Sequence, residues 1–399
     1  MLKVNDVIVK GVIKFTLDIE RQIYRTQSTT TPGYRENVIF SPLSLSATLA
    51  MVLLGSAGRT FDEVSKILGL ETGIDISQHS EIVHQMFGVL LSQVHGKIVG
   101  SSGPRVDFAS GIFVQVITFL CFCFEVLKLD FIRRGKEAQE KVNTWVKQKT
   151  MGKISNILSY PPDPSTNVIL ISALYFNGEW NQHFLSGATK RPFFIEPNES
   201  VDIDMMYNGG PFPFYEDKQL GVKMLALPYK GFEISMYILL PTAKGAVALR
   251  NFQNQLTPDI LESLINNLKN ETCIVGLPRM KLSSTISLTS RQSRPIDQSF
   301  LNYIKSQNFP SYGLDNLRNS GNLVNPHLYA SDVLHKVEID ITEKGTEAAA
   351  ATAVLLERDG NQKRLIANRP FLFFIRHNPS RLLLFWGTLN TPTPNYLVT

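Results

Sequence analysis

Five runs of apolar, β-branched and aromatic residues constrain this chain most: NVILISALYFNG (167–178), GFEISMYILLP (231–241), VLHKVEIDI (333–341), RPFLFFIRH (369–377) and RLLLFWGTL (381–389). Runs of this length and composition read as buried strands. Helical patterns lie among them without regular βαβ alternation. The opening stretch, MLKVNDVIVKGVIKFTLDIE, spaces its apolar residues as a helix and gives way to a polar loop, TQSTTTPGYREN. Val38–Phe40 reads as a short strand, and Ser41-Pro42 opens a helix with proline in its first turn. Gly55 and Gly58 punctuate that helix, and Thr60 is placed to cap another ending near Leu70. Residues 137–149 form a further helix. Strands and helices mixed in this way predict an α+β fold rather than a doubly wound sheet. Neither repeats nor a linker divide residues 1–399, which predicts one domain.

Forty Lys and Arg against thirty-five Asp and Glu give a formal charge of +5, scattered along the chain. Scattered charge is no signature of a nucleic-acid partner. A basic cluster through Arg133, Arg134, Lys136, Lys141, Lys147, Lys149 and Lys153 reads as a solvated helix face. Cys121, Cys123 and Cys273 cannot build a disulfide framework, and no metal-ligand spacing occurs. No cofactor or metal is expected. Asn198 and Asn270 begin N-x-S/T triplets, which matter only in a secreted protein.

Chemistry does not declare itself locally. There is no G-x-S-x-G elbow, no S-x-x-K and no phosphate loop. Of seven histidines, only His335 sits inside a strongly apolar strand pattern, where a hydrogen-bonded core residue is expected rather than a catalyst. The chain is therefore not expected to be an enzyme. One segment is anomalous: Ile112–Phe124 (IFVQVITFLCFCF) is too short to span a membrane and long for a strand.

Residues 343–354, EKGTEAAAATAV, precede a ragged polar stretch, LLERDGNQKRL. Propensity alone makes the alanine run a surface helix. The same small side chains also suit a strand that must enter a packed sheet. In that state Thr346, Ala348, Ala350 and Thr352 would share one face.

Taken in order, NVIFSPLSLSATLAM with LLGSAGRT, VNTWVKQKTMGKI, ALYFNGEW followed by Phe184, Thr189 and Phe193, then LPYKG, SMYILLP, LPRMKL, the stretch from VLHKVEIDI through the alanines, NRPFLFFIRH and FWGTLN resemble the serpin family over essentially the whole length. The resemblance implies three β-sheets, about nine helices and an exposed reactive-centre loop over about residues 343–366. It also implies a function. A serine protease attacks the loop and forms an acyl-enzyme; the cut loop inserts into the central sheet and the trapped protease is distorted. Loop insertion of this kind releases conformational strain stored in the uncut protein.

Site residues follow from the resemblance. The hinge is Glu343, Lys344, Gly345, Thr346, Glu347, Ala348, Ala349, Ala350 and Ala351. The shutter, where the sheet opens, is Ser41, Pro42, Ser44 and His335; the family's usual Asn is Ser172 here. Counting Glu343 as the first residue, the seventeenth is Asp359, which places the scissile bond at Asp359-Gly360. Cleavage after its neighbour Arg358 suits a trypsin-like protease, cleavage after Asp359 an Asp-cleaving one, and both stay open. Lys363 and Arg364 are further, more distant choices. The expected partner is a target serine protease, with no nucleic acid and no membrane, and the chain is expected to be a monomer. Val116–Lys128 is shorter than the family's stretch at this place, so a helix D polyanion site is not expected. The same segment supports the alternative of a non-inhibitory or inactive relative, serving as carrier, chaperone or storage protein. Extracellular action is the expected habit for this arthropod-like loop, with the cytoplasm as the alternative because the first residues lack a signal's apolar centre.

Overall fold

A computed structural model describes residues 2–30, 36–55, 58–70, 80–95, 104–115, 126–185, 187–287, 330–343 and 362–392. The elements run α1 (Leu2–Thr30), β1 (Val38–Phe40), α2 (Pro42–Gly55), α3 (Gly58–Ile67), α4 (Ser80–His95), β2 (Arg105–Gln115), β3 (Val126–Leu129), α5 (Gly135–Lys149) and β4 (Val168–Asn177). They continue with β5 (Thr189–Glu196), β6 (Glu199–Asp217), β7 (Val222–Pro228), β8 (Ile234–Pro241), α6 (Ala246–Gln255), α7 (Pro258–Asn266), β9 (Lys269–Pro278) and β10 (Met280–Ser287). The last four are β11 (Ala330–Ile341), β12 (Lys363–Ile366), β13 (Phe371–His377) and β14 (Leu382–Leu389). All five apolar runs are strands: β4, β8, β11, β13 and β14.

Two details depart from the sequence reading. Helix α1 continues through Thr30, into the stretch that reads as a loop, because neither Gly nor Pro interrupts it before Pro32. Helix α3 begins at Gly58, so Thr60 lies within its first turn rather than at its cap.

Five strands form one sheet in the order β10-β11-β4-β2-β3. Nine form the other, in the order β1-β14-β13-β8-β7-β6-β9-β12, with β5 also on β6. The described residues thus hold two continuous sheets and seven helices, where the resemblance implies three and about nine. The 19-residue β6 is the reason for the merged sheet. Its first part pairs β5, its middle β9 and its end β7, so one strand joins what would otherwise be two sheets.

Both faces of the five-stranded sheet are covered, which is the usual condition of parallel pairing. On one face, alternate residues Ala109 and Phe113 of β2, Ile169, Ile171 and Ala173 of β4 and Leu334 of β11 pack beneath Ala138, Val142, Trp145 and Val146 of α5. Trp145 meets Phe113 edge to face at 5.3 Å. It also lies over Gly111, where a Cβ would come within 2.7 Å of the indole. The other face packs on α2 and the second sheet. Beyond Gln115, residues 116–125 of the anomalous segment lie outside the described residues. On either side of them β2 and β3 pair in parallel, from Ile112↔Val126 to Gln115↔Leu129. The connection must return only the length of a four-residue strand, roughly 10 Å, which ten residues can span.

A buried carboxylate ties α1 to the second sheet. Glu20 Oε1 accepts from Gln253 Nε2 at 2.8 Å and from Thr388 Oγ1 at 3.0 Å, with Tyr24 alongside. Burial outweighs these donors and pushes the carboxyl from 4.5 to about 7. A raised folded-state pKa contributes stability that is present below pH 4.5 and is lost as pH rises through about 7, worth about 3 kcal/mol. Glu20→Gln should remove this loss. Urea unfolding of both proteins from pH 4.5 to 8 should show the variant's stability rising relative to the parent's as pH increases.

Candidate functional site

Strand β11 lies directly beside β4, parallel, with pairs running from Ala330↔Val168 to Ile339↔Phe176. No strand intervenes. Its outer neighbour β10 is antiparallel to β11, and β2 is antiparallel to β4. A strand running opposite to β11 and β4 could therefore be inserted between them, replacing one parallel pair by two antiparallel pairs. The chain leaves β11 at Ile341 and re-enters structure at Lys363, on the edge of the other sheet, where β12 pairs β9.

The two strands are held together by side chains at one step of the ladder, His335↔Ser172. Ser41 N–H donates to His335 Nε2 at 3.0 Å. That bond fixes the proton on Nδ1, which lies 3.0 Å from Ser172 Oγ and donates to it. Ser172 Oγ is in turn hydrogen-bonded to Ser44 Oγ. Ser41 caps α2 by accepting from Ser44 N–H at 3.2 Å, and Pro42 occupies the first helical position, where its missing N–H costs nothing. The start of α2 is thus bonded to both strands. Every member except Pro42 is buried and polar, so the set is stable only while closed. Burial pushes His335 from 6.5 down to about 3. A neutral, doubly bonded imidazole is a fastener, not a base. Ser172, where the resemblance leads one to expect Asn, completes the connection through its hydroxyl.

Three further ties lie around the same pair of strands, and sequence reasoning found none of them. Trp180 Nε1 donates to Thr342 O at 2.9 Å, with the indole stacked on Tyr229 at 4.4 Å. Arg279 Nε sits 2.7 Å from both carboxylate oxygens of Glu343, the residue that the resemblance makes the first of the hinge. On the face opposite His335, Lys336 Nζ donates to Asn156 O at 2.7 Å, fastening β11 to the segment that follows α5. Each joins residues far apart in the chain, and none has a local spacing that announces it.

The rest of the hinge (Lys344, Gly345, Thr346, Glu347 and Ala348, Ala349, Ala350, Ala351) lies outside the described residues, as do Arg358, Asp359 and Gly360. Lys363 and Arg364 are described, and both are paired within β12 to Cys273 and Ile274 of β9. Asn198 is exposed at the β5–β6 turn, and Asn270 is exposed on β9. No helix among the described residues is long and apolar enough to cross a membrane.

The family model for Serpin (serine protease inhibitor) matches residues 11–392. The chain belongs to the serpin family. A leukocyte elastase inhibitor of Sus scrofa is 33% identical over 392 residues, covering 95% of this chain and 98% of that relative. Intracellular coagulation inhibitor 2 of Tachypleus tridentatus is 31% identical, covering 89% and 85%. Among solved structures, uncleaved ovalbumin superposes with a TM-score of 0.78 at 22% identity, covering 96% of this serpin and all of that chain, a likeness of fold. These matches recast the expectation that the chain is not an enzyme: its relatives are named as inhibitors of proteases. Serpins act on enzymes: the catalytic groups belong to the protease, and the serpin enters the reaction as its substrate.

Removing the fastener tests its energetics. His335→Ala strands Ser41 N–H in the core and takes one of two hydrogen bonds from Ser172 Oγ, and it should cost about 2–4 kcal/mol in urea unfolding at pH 7. Neutral His335 contributes stability that is present above pH 6.5 and is lost as pH falls toward 3, the reverse of Glu20. The variant's stability should therefore decline with pH from 4.5 upward, where the parent's opposing slopes cancel.

Lys336→Met should change overall stability by about 1 kcal/mol, since one partly exposed hydrogen bond to Asn156 O and a partly exposed ion pair with Glu338 at 3.6 Å are lost. It should nevertheless accelerate uptake of a synthetic peptide spanning residues 346–357 into the sheet, followed by native gel shift. An unchanged uptake rate would count against this tie spanning the opening.

Proposed function

We propose that this serpin inhibits serine proteases as a suicide substrate. The observation that carries the reading is the closed parallel pair β11–β4, bonded along its length, with twenty-one residues (342–362) between the end of β11 and the start of β12. The donor strand follows immediately in sequence from one wall of the slot it would fill. Residues 345–353 are all small except Glu347, so they can enter between packed layers without overfilling them. The relatives named as inhibitors of leukocyte elastase and of coagulation support the same reading. The five-stranded order of the receiving sheet supports it against the inactive alternative.

The mechanism follows from the geometry. A protease's serine attacks the scissile carbonyl and forms an acyl-enzyme. The released loop end turns back at the hinge as the Arg279–Glu343 and Trp180–Thr342 ties open. Ser172 and His335 separate, and the new strand pairs β11 on one side and β4 on the other. About 14 residues at 3.3 Å each carry the attached protease roughly 45 Å. Cleavage is assigned to Arg358 or Asp359, and the bond after Arg358 would call for a trypsin-like protease. The compartment supported by a relative named an intracellular inhibitor is the inside of the cell, in place of the extracellular setting expected from the loop type.

Incubation with a trypsin-like and, separately, an Asp-cleaving protease tests the reading. A covalent band at the sum of the 44.8 kDa chain and the protease should appear on a denaturing gel. Mass spectrometry of the released C-terminal peptide should show Asp359 or Gly360 as its first residue. Cleavage in the loop with full recovery of protease activity from both enzymes would refute trapping.

A further inference from the structure

Between α5 and β4 the chain crosses the surface as a short strap, Ser159-Tyr160-Pro161-Pro162-Asp163-Pro164. Three prolines in its last four residues leave it little freedom. Each ring fixes φ at about −65°, and each proline drives the residue before it, here Tyr160, Pro161 and Asp163, into extended backbone. No peptide bond in the strap is cis. Polyproline II geometry over residues 160–163 is therefore set by covalent structure and needs no hydrogen bonds.

Both ends of the strap are anchored. Gln139 Nε2 and Asn143 Nδ2 of α5 each donate to Leu158 O at 3.0 Å, and Asn143 Oδ1 accepts from Leu158 N–H at 3.0 Å. Beyond the prolines, Asp163 Oδ1 accepts from Ser165 N–H at 2.8 Å and Asp163 O from Thr166 N–H at 2.9 Å, a turn that leads into β4. Between these anchors the backbone of residues 159–162 makes no hydrogen bond among the described residues. A polyproline helix repeats every three residues, so Pro161 and Pro164 share one edge and Tyr160 and Asp163 the next. All four are exposed, and Tyr160, at 80%, is the most exposed large apolar side chain among the described residues. Pro162, on the third edge, is half-buried. A Cβ at Gly135 would lie 3.5 Å from Pro162 O and from Pro161 Cβ, so the strap rests on the start of α5. That contact brings Arg133 and Arg134, both exposed and directly before Gly135, to its side. Arg134 meets Glu137 at 3.4 Å in an exposed pair, weak enough to exchange for another carboxylate.

We propose that this strap is a docking site for a proline-recognition domain of the SH3 type, with aromatic-lined slots for two x-Pro pairs and carboxylates at one end. Tyr160-Pro161 and Asp163-Pro164 fill the two slots, the unbonded carbonyls between them accept the groove's donors, and Arg133 and Arg134 meet the acidic end. The backbone is already in the bound shape, so docking costs little conformational entropy. The adjoining cations distinguish this partner from grooves that read prolines alone. The site includes no residue of the reactive loop and does not depend on protease trapping.

Biolayer interferometry of the intact, uncleaved protein tests the assignment. The probes are isolated SH3 domains that select arginine-flanked P-x-x-P ligands, with isolated WW domains alongside. The SH3 domains should bind saturably, and the WW domains should not. Pro161→Ala should weaken SH3 binding about tenfold and Pro162→Ala less than about threefold, because only the first ring faces outward. Replacing Arg133 and Arg134 together by Ala should weaken binding and flatten its salt dependence. These substitutions lie at the surface, so each variant should keep the parent's unfolding midpoint. Absence of SH3 binding, binding confined to the WW domains, equal losses in Pro161→Ala and Pro162→Ala, or unchanged salt dependence without the two arginines would each overturn the proposal.

Discussion

The contact between β11 and β4 is the constraint on which this structure turns. It is a parallel pair at the middle of a sheet, with antiparallel neighbours on both outer sides, so a reversed strand added between the two makes every pairing around it antiparallel. Much of the surrounding structure serves to keep that pair shut. The His335 fastener closes one face, the Lys336 bond lies on the other, and Trp180 and Arg279 hold residues 342 and 343 at the end where an inserted strand would enter.

The fastener works through neutral, mutually satisfied polar groups rather than charge. Ser41, Ser44, Ser172 and His335 are all buried, so separating the strands exposes several unsatisfied groups together. Such a set resists opening until a larger gain replaces it. The numbers are consistent with a poised rather than a strongly biased sheet: ladder bonds contribute about 1 kcal/mol each, while ordering a residue costs about 1–2 kcal/mol. A net drive for insertion would therefore have to come from the whole closed arrangement, not from the loop's own bonds.

Two buried titrating groups, Glu20 and His335, act on stability in opposite senses. Glu20 favours the fold when protonated and His335 when neutral, so their pH slopes oppose one another between 4.5 and 6.5. This balance arises because both lie in a core that disfavours charge of either sign, one group being an acid and the other a base.

The five long strands, the helix at 137–149, the Ser41-Pro42 helix start and the buried role of His335 are all legible in the order of residues, since each has a periodic or local chemical signature. Family order in the motifs then supplied the fold. Packing in three dimensions was needed to show that Ser172 completes the bond between β4 and α2, that Lys363 and Arg364 are locked in β12, and that one long strand fuses two sheets. It alone paired Arg279 with Glu343, Trp180 with Thr342 and Lys336 with Asn156. The division has a physical cause. Periodicity reports which face of an element is buried, whereas a hydrogen bond between segments 64 to 180 residues apart depends on where packing brings their ends together.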